Sequence, residues 1–171
     1  LSIGHAGFIA VGAYTSAILT GQYEVPFLFG MLGGGLMAGL TGVLFGLPSL
    51  RVKGFYLAIS TIAAQFIIMW VISQWGSLTG GFIGLNVPAA EIFGYQFTGQ
   101  LSKYYLIMAI CVIAIFVAKN LARTRQGRAF VAIRDNDLAA QVMGINLFRY
   151  KLIAFFTGCF FAGISGALLA H

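Results

Sequence analysis

The sequence predicts an all-α protein, a polytopic transmembrane helical bundle with about five membrane spans. Three observations support this class. The 171 residues are 60% hydrophobic and 8% charged, whereas water-soluble domains carry about 25% charged residues. The apolar residues form long runs without the alternation of barrel strands. A water-soluble domain of this length would also leave too much of its chain at the surface to hide so many apolar side chains. Residues 1–171 are therefore interpreted as one transmembrane domain.

Five apolar runs are candidate spans. A helix needs about 20 residues to cross the hydrocarbon, and its main-chain polar groups must be paired within the helix. The first and fourth runs are short, but Lys103 and Lys119 flank the fourth and can extend their ammonium groups to the interface. The predicted spans are Ala6–Thr20, Phe27–Leu47, Phe55–Ile72, Tyr104–Ala118 and Leu152–Ala170.

The basic residues predict the orientation of the spans. Seven of the ten lysines and arginines lie in 119–151, and two more lie in Pro48–Gly54. Two spans separate these loops, so both lie on one side, which the positive-inside rule identifies as the cytoplasm. Gly21–Pro26 and the extracytoplasmic loop 74–103 then face outward. Nucleic acid is an unsuitable partner, because the rest of the chain has no basic face.

Small residues recur at helical spacing on the second and fifth spans, so each set lies on one helix face. Small side chains allow close approach of helices in lipid. Two interpretations stay open: simple packing, or a seam along which helices slide during transport. The residues are Gly35, Gly39, Gly42 and Gly46, and then Gly158, Ala162 and Gly166.

Acidic residues are absent from all five predicted spans. Proton-driven carriers usually keep a carboxylate at membrane depth, whereas sodium coupling can use main-chain carbonyls. Thr61 and Gln65 share a helix face, and with Tyr14 they are candidates for a polar translocation path; interhelical hydrogen bonding is the alternative. Cys111 and Cys159 lie in apolar runs. The sequence offers no metal or cofactor site and no nucleophile–base set, so an enzyme is not expected.

The segment between the last two spans predicts a short capped helix. Asp135, Asn136 and Asp137 can cap its first turn. Leu138 to Val142 form its body, and Gly144 fits the left-handed position after a helix. Such a helix can dock into a groove on another protein, or it can serve only as a topology determinant.

Five pieces of sequence resemble the permease subunits of branched-chain amino-acid ABC importers, in particular the second of their two homologous permeases. The fourth and most specific of these pieces contains RDNDLAAQVMGIN. Members of the family are longer, so further helices are expected at both ends. The five pieces are Leu1–Thr15, Leu50–Thr61, Thr79–Leu85, Arg125–Asn146 and Arg149–Ala170.

The resemblance assigns the short helix to ATPase coupling. ABC importer permeases carry a cytoplasmic EAA-x-x-x-G motif that inserts into the ATPase, and this chain matches it except that leucine replaces the glutamate. Asp135 or Asp137 would supply the acid instead, and the Ile-x-Leu-Pro that usually follows is absent. The expected coupling residues are Arg134, Asp135, Asp137, Leu138, Ala139, Ala140 and Gly144.

The resemblance also implies an assembly and a substrate. The expected partners are a homologous permease subunit, two cytoplasmic ABC ATPases, an extracytoplasmic substrate-binding protein and the lipid bilayer of a bacterial or archaeal plasma membrane. The chain has no G-x-x-x-x-G-K-[ST] loop of its own. Leucine, isoleucine or valine is the expected substrate, with urea, amides or other amino acids as alternatives. An ion-coupled secondary carrier and a non-transporting membrane scaffold are the two rival functions.

Overall fold

A computed structural model describes residues 4–49, 55–81, 84–85, 87–88, 91–92, 95–96 and 99–171. Five long helices and three short ones form most of the described chain. A two-residue antiparallel strand pair lies between the fourth and fifth helices. The elements are α1 His5–Gly21, α2 Phe27–Ser49, α3 Phe55–Gln74, α4 Gly76–Thr79, β1 Glu91–Ile92, β2 Tyr95–Gln96, α5 Gln100–Arg123, α6 Arg125–Asp135, α7 Asp137–Val142 and α8 Leu147–Ala170.

The predicted helical transmembrane fold is confirmed. Within the part of the chain that the structure describes, three helices are by themselves long and apolar enough to cross a membrane: Phe27–Pro48, Gln100–Arg123 and Leu147–Ala170. The other two predicted spans are shorter. The 17 residues of α1 reach about 26 Å at helical rise, somewhat less than the hydrocarbon thickness. The apolar part of α3 is Ala58–Gln74.

Helices α1, α2 and α8 pack mutually and form the core of the molecule. One buried cluster contains Phe8, Ala38, Ile68, Cys159 and Ala162. The Phe8 ring meets the edge of Phe155 on α8, with centroids 5.9 Å apart. Glycines of all three helices lie at their contacts, where the main chains approach closely.

The remaining long helices lie around this core. Helix α3 packs mainly on α1. Helix α5 has no buried residue, although Leu106 and Ile110 touch a second cluster formed by Phe27, Met31 and Ala167. Almost the whole surface of α5 is thus available to lipid or to other subunits.

The helices place two sets of residues at opposite ends of the bundle. Thr20 of α1, Lys103 of α5 and His171 after α8 meet at one end. Helices α6 and α7 lie at the other end, between the last turn of α5 and the first turn of α8. The predicted basic loop Pro48–Gly54 includes Arg51 and Lys53, which lie outside the described residues.

Candidate functional site

The segment between α5 and α8 begins at a sharply defined corner. The Thr124 hydroxyl donates to the Leu121 carbonyl (2.7 Å) and accepts from the Gly127 amide (3.4 Å), so one side chain ends α5 and caps α6. A Cβ at Gly127 would collide with the main chain of Ala122. The close approach of the Gly127 and Ala122 main chains therefore requires a glycine. This corner fixes the direction in which α6 leaves the membrane helix α5.

Helix α6 packs its small and apolar face against the neighbouring helices. Gly127, Ala129 and Ile133 are buried. The Phe130 ring meets the edge of Tyr150 in the first turn of α8, with centroids 6.3 Å apart. These contacts fix α6 against α5 and α8, and α7 packs on α6.

Helix α7 is capped at both ends. The Asn136 side-chain oxygen accepts from the amides of Leu138 (3.0 Å) and Ala139 (3.1 Å). Gly144 has a φ of +81°. Its amide donates to the Gln141 carbonyl, and the next amide, of Ile145, donates to the Ala140 carbonyl. This is the Schellman arrangement, so the predicted capped helix is confirmed, with Asn136 as the N-cap.

Two acidic residues of the expected coupling set have basic partners. Asp137 Oδ2 lies 2.8 Å from Lys151 Nζ in α8, and both side chains are about one third exposed. Asp135 pairs with its neighbour Arg134 at 3.4 Å, in a strongly exposed contact that contributes little. The Asp137–Lys151 pair therefore ties the start of α7 to the adjacent membrane helix.

The outward surface of α7 is apolar. Leu138, Val142 and Met143 are 71%, 88% and 82% exposed, and we call these three residues the α7 tip. Ala140 is buried on the opposite side, and Ala139 and Gly144 are exposed. Large apolar side chains grouped at such exposure are typical of a surface that binds a partner. The expected coupling residues included Leu138 but neither Val142 nor Met143, although Val142 was placed in the body of the predicted helix and lies one turn from Leu138.

The polar candidates on α1 and α3 lie at a helix–helix contact. Thr61 is only 2% exposed, and its hydroxyl donates to the Ala58 carbonyl of its own helix (2.8 Å). A Cβ at Gly7 of α1 would lie 3.0 Å from the Gln65 Cα. Gln65 and Tyr14 are half-buried. Thr61 and Gln65 thus lie together against α1, and Tyr14 lies two turns beyond Gly7 along that helix.

The glycine stripe of α2 faces α8. A Cβ at Gly42 would meet the Cys159 side chain, and a Cβ at Gly39 would meet the Phe156 ring. Gly35 similarly faces Phe160 and Ile164, and Gly46 faces Phe155.

On α8 the contact differs from the expected four-residue series. Gly166 approaches the Ile9 main chain, and Ala162 is buried, but nothing lies within 4 Å of a Cβ at Gly158. The glycine that the spacing missed is Gly163. It lies beside Gly12 of α1 and also beside Ala38, Gly34 and Gly35 of α2.

A polar cluster at the opposite end of the bundle was not predicted. His171 Nδ1 lies 2.9 Å from the Pro88 carbonyl, so it donates there, and Nε2 accepts from the Ser16 hydroxyl at 3.2 Å. The ring also contacts Phe27 edge-on. Burial lowers the pKa of His171 and the charge of Lys103 adds to this, while the bond to Pro88 opposes it. The neutral ring therefore joins the loop before α5 to α1 and α2.

Comparison with known sequences decides the family. A family model described as the branched-chain amino acid transport system permease component matches residues 1–171. The chain belongs to this family. It is accordingly a multi-pass protein of the plasma membrane. No solved structure matches the chain at a significant level.

Several relatives have named transport roles. The high-affinity branched-chain amino acid transport system permease protein LivM of Escherichia coli K12 is 32% identical, over 99% of this chain and 46% of the relative. The autoinducer 2 import system permease protein LsrC of Enterobacter sp. 638 is 27% identical, over 95% and 44%. The nucleoside ABC transporter permease protein NupC of Lactococcus lactis is 26% identical, over 100% and 58%. The chain spans about half the length of these relatives.

Proposed function

We propose that this chain forms part of the translocation unit of an ABC importer for branched-chain amino acids, and that α7 is its docking element for a cytoplasmic ATPase. In this proposal 119–151 is cytoplasmic and 74–103 is extracytoplasmic. The complete transporter contains a homologous permease, two ATPases and an external substrate-binding protein.

The exposed apolar α7 tip is the observation that carries the proposal. Exposed leucine, valine and methionine side chains are unfavourable in water, so a surface that displays three of them is suited to burial against a partner. A short helix that presents its apolar side to a groove is a common mode of protein recognition. Beneath the tip, the buried Ala140 and the Asp137–Lys151 pair connect α7 to the rest of the bundle.

The proposed mechanism follows from these connections. When the ATPases close on nucleotide, a force on α7 reaches α8 through the Asp137–Lys151 contact and reaches α6 through their shared packing. The membrane helices then exchange between inward-open and outward-open arrangements. Thr61, Gln65 and Tyr14 remain our candidates for contact with the path, and the binding protein supplies most of the specificity.

The docking role is tested with the complete transporter in proteoliposomes. Val142→Asp puts a charge in the middle of the tip, and Val131→Asp puts the same charge on exposed α6 outside it. We expect Val142→Asp to abolish uptake and weaken ATPase retention on purification by at least tenfold, while membrane insertion is unchanged. Val131→Asp should keep most of the uptake and most of the ATPase retention. Retention and uptake at wild-type levels in Val142→Asp would refute the docking role.

The substrate and the energy source need a separate experiment. The same proteoliposomes are offered leucine, isoleucine and valine, and in parallel phenylalanine, urea, acetamide and a nucleoside. We expect ATP-dependent uptake of the first three. Uptake of the nucleoside, without uptake of the amino acids, would indicate a substrate like that named for the Lactococcus relative. Uptake driven by an ion gradient without ATPase would support a secondary carrier, and no uptake of any substrate would support a scaffold.

A further inference from the structure

The α5–α6 corner carries a group of exposed basic side chains. We define the basic corner as Lys119 and Arg123 of α5 with Arg125 and Arg128 of α6. All four are exposed. Within the described residues none of them forms an ion pair, because the acids of this segment, Asp135 and Asp137, pair with Arg134 and Lys151. The corner therefore holds four uncompensated positive charges.

The position of these charges along α5 matches the edge of the hydrocarbon. Lys103 and Arg123 are 20 residues apart on one continuous helix, which corresponds to about 30 Å, the thickness of the hydrocarbon core. Arg123 therefore lies at the depth of the lipid headgroups when Lys103 lies at the opposite interface. Lys119 is one turn deeper on the same helix face, from which its long side chain reaches the same level.

The neighbours of the corner on α5 favour lipid. No residue of α5 is buried, and large apolar side chains are exposed in the half of the helix that ends at Arg123, among them Val112, Ile113, Ile115, Phe116 and Val117. A helix with this surface is suited to contact with acyl chains, and the charges at its end then lie at the depth of the headgroups. Arginine and lysine bind phosphate oxygens through charge-assisted hydrogen bonds.

We propose that the basic corner is a binding site for anionic phospholipid, with the phosphate groups held by Lys119, Arg123, Arg125 and Arg128. The Thr124 cap and the Gly127–Ala122 contact fix the angle between the two helices. The two cations of α5 and the two of α6 are thereby held on either side of the turn at Thr124. This site goes beyond the proposed transport function and does not depend on it.

The test uses the complete transporter in neutral detergent, with retained lipid counted by native mass spectrometry during titration with phosphatidylglycerol or phosphatidylcholine. A basic residue strengthens attachment to an anionic membrane surface about fivefold, and we take the same factor for each cation of the corner that holds a lipid phosphate. We therefore expect Lys119→Gln with Arg123→Gln to weaken phosphatidylglycerol binding about 25-fold, and Arg125→Gln with Arg128→Gln to do the same. Phosphatidylcholine binding should not change.

The matched control also removes two charges. Lys103→Gln with Arg149→Gln takes one cation from the opposite interface and one from the start of α8, and it should change phosphatidylglycerol binding by less than twofold. Raising the salt concentration should weaken the binding by the unaltered protein, which tests the site without any substitution.

Three results would overturn the proposal. These are equal binding of the two lipids by the unaltered protein, undiminished phosphatidylglycerol binding in both corner variants, and an equally large loss in the control. If a corner variant instead lost its ATPase while keeping phosphatidylglycerol, the cations would face protein rather than lipid. Wild-type uptake and ATPase retention in Val142→Asp would refute the docking role but would leave the lipid result unaffected, so the two proposals fail separately.

Discussion

At Gly163 the absence of a side chain allows three helices to meet. A Cβ there would stand 2.5 Å from the Ala38 Cβ, 2.7 Å from the Gly34 oxygen and 2.9 Å from the Gly35 Cα. Two of these three obstacles are main-chain atoms, which cannot move aside as a flexible side chain can. Spacing along α2 predicted its glycine stripe because the stripe is local to one helix. Gly163 could not be found in this way, since its importance comes from neighbours more than 120 residues away in sequence.

Substitution of Gly163 should therefore be severe. We expect Gly163→Val to lower the thermal midpoint of the detergent-solubilised protein, because overpacking of a close contact costs about 1–3 kcal/mol or more. Gly158→Val is the matched control, since a Cβ there meets nothing within 4 Å. Its midpoint should remain within about two degrees of the unaltered protein for a chain of this size. Equal shifts in both variants would contradict the proposed contact.

His171 gives the opposite end of the bundle a defined dependence on pH. Because burial lowers its pKa in the folded protein, the contribution to stability is complete above the ordinary histidine pKa of about 6.5. It is lost as the pH falls, since the unfolded chain takes up the proton first. The groups facing the ring are the Ser16 and Thr20 hydroxyls, the Pro88 carbonyl and the Lys103 ammonium.

The measurement is thermal stability of the complete transporter between pH 8 and pH 5. The unaltered protein should lose stability below about pH 6.5 relative to His171→Gln, which cannot take up the proton. His5→Gln removes the other histidine, and this variant should still lose thermal stability below about pH 6.5 as the unaltered protein does. If the unaltered protein and His171→Gln followed parallel curves, titration of this ring would not contribute.

At the scale of one element, α7 was the most predictable part of the molecule. Its start and end depend on residues within a few positions of one another, so capping rules could place it. The ends of α5 were less predictable: the predicted span Tyr104–Ala118 becomes the helix Gln100–Arg123. Lys103 and Lys119 ended the apolar run in the sequence, but the backbone hydrogen bonds of the helix continue past them into the interface.

The Asn136 cap should contribute to the stability of α7. We expect Asn136→Ala to destabilise the helix by about 1 kcal/mol and to speed hydrogen exchange of the Leu138 and Ala139 amides about fivefold. Asn146→Ala removes the corresponding cap of α8, where the side chain accepts from the Arg149 amide at 3.2 Å, and it should leave the α7 amides unchanged. Unaltered exchange in Asn136→Ala would mean that packing alone holds α7.

For the whole molecule, composition was enough to predict a helical membrane bundle, whereas the arrangement of the helices was not predictable. The central group α1, α2 and α8 joins elements far apart in sequence, and a single sequence does not say which apolar faces meet. The short strand pair between α4 and α5 was also missed, because two residues per strand leave no periodic pattern. The five predicted spans were accurate in position, but each was shorter than the helix that contains it.

The proposed orientation can be tested with two single cysteines. In a chain with Cys111 and Cys159 replaced by alanine, Val142→Cys and Tyr23→Cys place exposed thiols at opposite ends of the bundle. In intact cells, a membrane-impermeant maleimide should label the Tyr23 position only, and the Val142 position should react after the membrane is opened. Labelling of Val142→Cys from outside would invert the topology and remove the basis for an ATPase partner at α7.

In this bundle the smallest residues, rather than the largest, are expected to be the hardest to replace. In a water-soluble domain the largest apolar side chains are the hardest to replace, because each fills a large part of the interior. Here Leu36, Leu40 and Leu44 are more than half exposed, while Gly12 and Gly163 have no room for a methyl group. A mutational scan should therefore tolerate bulky exchanges along the leucine side of α2 and reject even alanine at glycines that contact a neighbouring main chain, such as Gly12 and Gly163, so that the intolerant sites trace the line where the three backbones touch.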